Sequence, residues 1–592
     1  MKVKKKWQQR PLNARLQEQA RLEGLHPLEV RILAGRLETW QAQRLMDLVQ
    51  PSLKTLAPPQ VLKDMDLAVA RLVQAIEQQE VIGILTDYDV DGITSHALIY
   101  RSLNAFFGVP ATRLLSLIGH RIEDGYGISA RLTDRILNAP VRPSVIISAD
   151  CGSSDEPTIA RLKAAGIDVL VTDHHALPIE GPPSSAHAVI NPTRADCPYP
   201  DKTLAGCAVA WLLMSALRQA LIDQGRLAPT TPKLACFLDL VALGTVADCV
   251  SLGGSAMNRA LVKTGVALMN RSDQPCWQAF RQLMGPRFTD FTPATLGFQL
   301  GPRINARSRM ADPYAALHFL LAKDAASAMQ QLVLLDEDNQ QRREVERQMV
   351  EQALLMAQEQ YEAGCAGLVV YLAEGHSGVQ GIVASRLVER FGAPCVILTP
   401  SNQEGQLSGS ARGVPGVHLR DSLQQVDDDY PGIFVRFGGH KGAAGLTLRQ
   451  ERLQDFQQAW HQALRQHLGE QALGPVLWTD GPLEPGLLNL ATYDLLARLE
   501  PYGREFEAPV FEGTFRVESW RCVGADQRTV QLRLSVGEQV VPAIWFHAVQ
   551  AGASPDLPLG GTLRCAFQLQ PNHYRGQTEL QLQLVDVQVV AS

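Results

Sequence analysis

Three apolar runs in this chain end on aspartate: Val81–Leu85 before Thr86-Asp87, Val145–Ala149 before Asp150, and Ile167–Thr172 before Asp173. Each is short, rich in β-branched residues and bounded by turn or helix signals, the pattern of a strand buried in a parallel sheet. In an open α/β sheet the ligand crevice lies outside the carboxyl ends of the strands. The three tips therefore converge negative charge on one cleft. Uncompensated, those carboxylates would repel one another strongly in a partly buried site, and divalent cations are the simplest remedy. The first run continues as Asp87-Tyr88-Asp89-Val90-Asp91-Gly92 and the third as Asp173-His174-His175. That adds two carboxylates and two imidazoles.

At 592 residues the chain exceeds what a single core organises, so three or four domains are expected. Its 46% hydrophobic and 20% charged content describes an ordinary globular protein and excludes a disordered one. A net charge of −6 means that a nucleic-acid partner would need a local basic track. The ten cysteines are scattered, with no CxxC pair, which argues against a zinc ribbon. Most lie in apolar runs, as reduced thiols do in a cytoplasmic protein. No stretch reads as long and apolar enough to span a membrane. The segment Met1-Lys2-Val3-Lys4-Lys5-Lys6-Trp7 is basic but lacks the apolar core of a signal peptide, and reads as a solvated tail.

Residues 1–60 are polar and broken by Pro11, Pro27, Pro51, Pro58 and Pro59, which predicts helical pieces and linker. Over 61–312, apolar strands alternate with amphipathic helical patterns, as in a βαβ domain. Residues 313–365 read as helix, highly charged in the later part; a helix polar nearly all round often bridges domains. A second, smaller α/β unit is predicted over 366–470, with strands at Gly367–Leu372 and Pro394–Leu398. Over 471–592, segments such as Thr529–Val536 and Glu579–Leu584 alternate with period two between turn-rich joints, which predicts a small antiparallel barrel or sandwich.

The chemistry concentrates at the strand tips. Asp87, Asp89 and Asp91 alternate in a turn that Gly92 lets bend sharply. Such a set binds one metal or bridges two about 4 Å apart; the plainer reading is solvated or capping aspartates. An EF-hand loop is excluded, because Leu98 stands where its closing glutamate belongs. Adjacent imidazoles at a buried strand end point apart, so one of His174 and His175 ligates while the other faces a phosphate or its leaving group. Asp173 ligates or fixes a histidine tautomer. Asp150 adds a carboxylate, and Asp248, after a glycine turn at Gly244, closes the cluster. Asp239 is a rival whose plainer reading is a hydrogen-bonded helix carboxylate. Oxygen and imidazole donors without thiolate suit manganese or magnesium, and a two-metal site hydrolyses phosphoesters well. GxSxG and P-loop signatures are missing.

Anion-binding loops are visible too. Ser408–Gly413 places Ser410 and Arg412 beside flexible backbone, and Gly438–Gly445 carries His440 and Lys441 on a small-residue turn. Arg303, Asn305, Arg307 and Arg309 cluster after Gly301-Pro302, with solvated arginines as the alternative. Arg121 and Tyr126 offer a charge and a ring, the ring being equally suited to plain packing.

In their order, TDYDVDG, SADCG, TDHH, GTVAD and GGHKGAAG resemble the DHH phosphoesterase superfamily. The segments Arg121–Gly127, Gly301–Ala306, Val379–Leu387 and Gly409–Arg412 are similar to its long nucleic-acid branch, the RecJ single-strand-specific exonucleases. The resemblance runs from about residue 60 to the end. It implies an α/β fold: a parallel-sheet DHH domain, a long connecting helix, a smaller α/β DHHA1 domain and a C-terminal all-β OB-fold. It further implies 5′-to-3′ degradation of single-stranded DNA in repair and recombination, with two Mn2+ or Mg2+ ions. Carried over by position, Asp87, Asp89, Asp91, Asp150, His174 and Asp248 hold the metals, and His175, with Asp173, assists at the scissile phosphate. Arg121, Arg309, Ser410 and Arg412 grip the terminal phosphate or adjacent backbone, and His440 faces the active cleft from the second domain. Tyr126, Arg303, Asn305, His376, Gly438, Gly439 and Lys441 complete the substrate side. The implied partner is single-stranded DNA bound by a monomer, with a single-strand-binding protein and a helicase as associates and no membrane.

The chain departs from the family pattern in three places. Glu374-Gly375-His376-Ser377-Gly378 replaces a tryptophan-histidine-proline-glycine turn, Arg307-Ser308-Arg309 replaces a small-glycine-arginine step, and Arg504–Pro509 replaces a glycine-asparagine-proline turn before the barrel. None removes a metal ligand. OB barrels bind single strands with a basic groove and aromatic platforms. Trp520, Trp545, Phe546, Phe567 and Tyr574 are the candidate rings, with Arg521, Arg533 and Arg575 nearby; alternation predicts that about half of the rings are core. Rival readings are a DHH phosphodiesterase or pyrophosphatase acting on small substrates, and a non-catalytic DNA-binding scaffold.

Overall fold

The computed structural model describes residues 3–37, 44–121, 123–310, 313–469, 473–549, 553–574 and 576–590, the side chains of 310 and 574 excepted. The chain divides into two compact units, 9–335 with 479–592, and 1–8 with 336–478.

In the larger unit, strands β1 (Ile82–Thr86), β2 (Leu114–Ile118), β3 (Val145–Ala149), β4 (Asp168–Thr172) and β5 (Ala188–Ile190) form one sheet in the order β2-β1-β3-β4-β5. Every pair is parallel. All residues of β1 and β3 are buried, because helices cover both faces, which explains their unbroken apolar sequence. The register aligns the tips: Thr86 pairs with Ala149, Ala149 with Thr172, and Thr172 with Ile190. Asp87, Asp150, Asp173 and Asn191 therefore follow one line across the sheet.

Helix Gly206–Asp223 corrects one expectation. It is long and apolar enough, by length and composition, to cross a membrane, with a mean hydropathy of 1.2. Ten of its buried residues belong to the sheet's core, so its apolarity is that of an internal helix.

The barrel consists of β11 (Phe511–Val523), β12 (Thr529–Val536), β13 (Gln539–Trp545), β14 (Thr562–Tyr574) and β15 (Gln577–Val589), closed in the order β11-β12-β13-β15-β14. Closure removes the exposed edges that an open sheet of this length would carry. Phe567 is fully buried in it, Trp520 donates its indole N–H to the Leu557 carbonyl at 3.1 Å, and Phe546 is 49% exposed. The side chain of Tyr574, and Arg575, lie outside the described residues.

Where the sequence suggests helical pieces and linker, helices Ala14–Leu22 and Pro27–Ala34 are integral to the unit. Leu16, Leu28, Ile32 and Leu33 share one core with Phe511, Phe515 and Leu563 of the barrel and with Leu252 and Val262. Polar contacts lock this junction. Arg36 pairs with Asp480 through two bonds of 2.6 and 3.0 Å, both side chains being almost wholly buried. The buried Arg259 guanidinium donates to the carbonyls of Leu48, Leu252, Leu499 and Pro501 and lies 4.3 Å from the Phe506 ring centroid.

The smaller unit has its own mixed sheet, β6 (Leu368–Tyr371), β7 (Cys395–Pro400), β8 (Gln406–Arg412), β9 (Phe434–Gly439) and β10 (Ala443–Arg449), in the order β9-β10-β8-β7-β6. Only β6 and β7 are parallel. Residues 313–365 are not one helix. Tyr314–Leu321 ends before Asp324, whose carboxylate accepts the Ser327 N–H at 2.8 Å and restarts the chain as Ala325–Glu362.

Candidate metal centre

The turn after β1 starts the site. Asp89 caps helix Val90–Arg101 by accepting the Gly92 N–H at 3.1 Å, which lays Asp87, Asp89 and Asp91 around one bend. Gly92 is required by proximity: a Cβ there would stand 2.3 Å from the Asp87 carbonyl oxygen. Asp91 is buried and accepts the N–H groups of Gly206 at 2.6 Å and Cys207 at 2.9 Å. The helix N-terminus at 206 thus fixes its carboxylate. Asn305 accepts the Val90 N–H at 3.1 Å and so helps to hold the same bend.

Asp150 follows β3 with φ 61°, a left-handed backbone for a non-glycine residue. Its Oδ1 lies 3.1 Å from His174 Nε2. The same nitrogen is 3.6 Å from Asp248 and 3.8 Å from Asp91. Donor atoms of Asp87, Asp89 and Asp150 lie within 4.8 Å of one another, and so do those of Asp91, His174 and Asp248. Asp150 and His174 join the two groups. Asp239 takes the plainer of its two roles: it accepts the Trp277 indole N–H at 2.7 Å and the Leu240 N–H at 2.9 Å. Gly244 is not in a turn but inside helix Leu238–Ala247, where a Cβ would meet Asp91 Oδ1 at 2.6 Å. Its absence lets Asp91 and Asp248 serve one site.

Asp173 is an organiser. It accepts the N–H groups of Ser153, His174 and His175 at 2.7–3.1 Å and contacts His175 Nδ1 at 2.8 Å. Burial opposes its charge, but the bond with His175 and the nearby imidazoles hold it well below the usual carboxylate range. Burial likewise opposes the His175 cation, yet the same bond pushes that imidazole up to about 9. Burial lowers His174, so its ring is neutral, as a metal ligand must be. Tyr126 is 51% exposed, and its hydroxyl lies 3.0 Å from His175 Nδ1 and donates to the Asp150 carbonyl at 3.2 Å. Arg121 stacks over Tyr88 at 4.3 Å, and Arg309 also bears on the Tyr88 hydroxyl electrostatically. Arg303 donates to the Gln299 carbonyl at 2.7 Å.

Sequence reasoning missed Asn191 and Thr193. The Asn191 amide donates to the His175 carbonyl at 2.9 Å, and the Thr193 hydroxyl does so at 3.1 Å. The signal was the short run Ala188–Ile190 ending at Asn191-Pro192, a fourth strand tip.

The other candidates stand in the smaller unit. On β8, Arg412 donates to the Ser410 hydroxyl at 3.0 Å. Gly438 and Gly439 end β9, and the His440 N–H donates to the Ala443 carbonyl at 2.8 Å. Lys441 is exposed on that turn. His376 Nδ1 accepts the Gly378 N–H at 3.1 Å.

The donors fit divalent cations. Burial, then the neighbouring carboxylates, raises Asp87 and Asp150 well above the usual range and Asp248 to about 8. Five aspartates and an imidazole, with the nearby thiols of Cys151 and Cys207 kept protonated by burial, form an oxygen-rich set. Such a set suits Mn2+ or Mg2+ and leaves open positions for a phosphate.

A parallel sheet with these carboxylate and imidazole tips, followed by a mixed-sheet domain and a closed barrel, defines a metal-dependent DHH phosphoesterase. Family models match in that order: the DHH family N-terminal domain over 81–245, the DHHA1 domain over 365–466 and the RecJ OB domain over 479–586. The single-stranded-DNA-specific exonuclease RecJ of Haemophilus influenzae is 35% identical over 570 residues, covering 95% of this chain and 96% of that protein. Its Escherichia coli counterpart is 35% identical over 564 residues, covering 94% and 96%. The crystal structure of RecJ from Thermus thermophilus in complex with Mn2+ superposes with a TM-score of 0.77 at 27% identity, over 100% of this chain and 80% of that one. The chain belongs to the RecJ family of single-stranded-DNA-specific exonucleases, and its cofactor is Mn2+ or Mg2+.

Proposed function

We propose that this chain hydrolyses single-stranded DNA from a 5′ end, releasing nucleotides in repair and recombination. The observation that carries the reading is the junction of two donor groups at Asp150 and His174, 3.1 Å apart. Asp87, Asp89 and Asp150 would hold one cation, and Asp91, His174 and Asp248 the other. When bound, the cations supply Lewis acidity and offset phosphate charge. The protein's own part is preorganisation. The helix N-terminus at 206 fixes Asp91, Asp173 orients the His175 imidazole and holds the His174 backbone N–H, and Asn191 and Thr193 hold the His175 carbonyl. His175, with Nδ1 committed to Asp173, carries a proton and steadies charge on the leaving oxygen.

As substrate-binding residues we assign Arg121, Tyr126, Arg303, Asn305 and Arg309 in the larger unit and, in the smaller unit, His376, Ser410, Arg412, Gly438, Gly439, His440 and Lys441. The domain limits proposed are 61–312, 313–365, 366–470 and 471–592. A cytoplasmic monomer that works with a single-strand-binding protein and a helicase completes the proposal.

The test is degradation of single-stranded oligonucleotides carrying a label at either end, with Mn2+. The 5′ label should appear in mononucleotide before any shortening at the 3′ end, and Asp150→Asn should abolish hydrolysis while strand binding persists. Early release of the 3′ label would reverse the polarity; an active Asp150→Asn enzyme would reject the site.

A further inference from the structure

The turn ahead of the barrel, one of the places where this chain departs from the family pattern, is docked beside the metal centre. The Leu252 N–H donates to the Arg504 carbonyl at 3.0 Å, and Gly503 and Phe506 exchange backbone bonds of 3.0 and 3.1 Å. Glu505 holds a left-handed φ of 62° at its apex. The contact is close enough that a Cβ on Gly253 would stand 2.5 Å from the Glu505 carbonyl. Phe506 anchors the turn: it is fully buried, stacked 5.9 Å from Tyr502 and capped by the Arg259 guanidinium. A rigid turn of this kind presents its side chains at fixed positions.

Arg504 is the side chain so presented. Its Nη1 donates to the Cys249 carbonyl at 3.3 Å, one residue beyond Asp248. Its Nε is 3.8 Å from the exposed Glu505 carboxylate, and the side chain remains 62% exposed. Around it, Asp87, Asp89, Asp91, Asp150 and Asp248 line the cleft with acidic side chains, which offer a phosphate no cationic partner. A guanidinium at the Asp248 rim offers a phosphate a planar, bidentate partner.

We propose that Arg504 is a substrate-positioning residue, binding a backbone phosphate of the DNA strand at the Asp248 side of the metal centre. The inference rests on the exonuclease reading above. It also gives the barrel segment a direct part in holding the strand at the site of cleavage.

The test is the salt dependence of binding of a fluorescein-labelled oligothymidylate to the full chain in EDTA, for wild type, Arg504→Gln and Arg504→Lys. Loss of one phosphate contact to a single strand lowers the slope of log affinity against log salt by about 0.7. Arg504→Gln should show that loss with unchanged Tm, because the backbone bond to Leu252 survives, and Arg504→Lys should keep the wild-type slope. An unchanged slope in Arg504→Gln overturns the inference. So does a slope lost together with Tm and not restored in Arg504→Lys, since the turn itself would then have come loose. Wild-type protein that fails to bind the oligonucleotide overturns the exonuclease reading instead.

Discussion

Asp150 carries the site at the scale of single residues. Its left-handed backbone turns a buried carboxylate from the end of β3 toward His174, and a conformation this uncommon persists only where surrounding contacts hold it. The neighbouring carboxyls feel the same burial. Asp248 is pushed up to about 8, against an ordinary value near 4 in an unfolded chain. Between those values the metal-free folded protein keeps a proton that the unfolded chain has lost. The contribution of this group to stability is therefore fully present below about pH 4 and is lost as pH rises through about 8. Cations compete with that proton, so their stabilisation grows in the same direction. The expected outcome is a Tm in EDTA that falls between pH 5 and 9, and a Mn2+ increment larger at pH 8.5 than at 5.5. Equal increments at both pH values would separate the cluster from cation binding.

At the scale of elements, the turn Asp87–Gly92 sets the geometry. Its three carboxylates were legible in the sequence because a β-branched run before them and a glycine after them fix where the strand stops and the chain bends. Gly92→Ala would place a Cβ 2.3 Å from the Asp87 carbonyl oxygen. A forced overlap of this kind costs about 1–3 kcal/mol, and moving the bend separates Asp87 from Asp150. Urea unfolding should show that loss, and the exonuclease rate should fall by at least about tenfold, the effect of misplacing reacting groups by a fraction of an ångström. A variant as stable and as active as wild type would show that the turn tolerates displacement. The strand tips were readable for a related reason: parallel strands buried on both faces cannot hide their composition. Asp239 and Asp248 share one apolar stretch, and the sequence set Asp248 ahead through its place in the GTVAD motif. Trp277, 38 residues from Asp239, decides between them by claiming its carboxylate.

Across the whole molecule, the barrel is not an appendage. Its core continues into helices Ala14–Leu22 and Pro27–Ala34 and into the catalytic domain, so deleting 479–592 would expose Leu16, Ile32 and Leu252 to water. A point change tests this junction more cleanly. Arg36→Met leaves Asp480 buried without its ion-pair partner, accepting the Val510 N–H among the described residues. Removing one partner of a buried ion pair costs about 3–5 kcal/mol, measurable by guanidinium unfolding of the full chain. A loss under about 1 kcal/mol would mean that water reaches Asp480 and that the junction is loose.

Local pattern alone determined the strands, their acidic tips, the paired histidines and the alternation of the barrel, because period and β-branching are properties of neighbouring residues. Tertiary structure decided the rest. It tied Asp239 to Trp277, made Asp173 an organiser, brought Gly206 and Cys207 to Asp91, and folded helices Ala14–Leu22 and Pro27–Ala34 into a shared core. Those outcomes depend on groups tens to hundreds of positions apart meeting in space, and no local periodicity records which of them will meet.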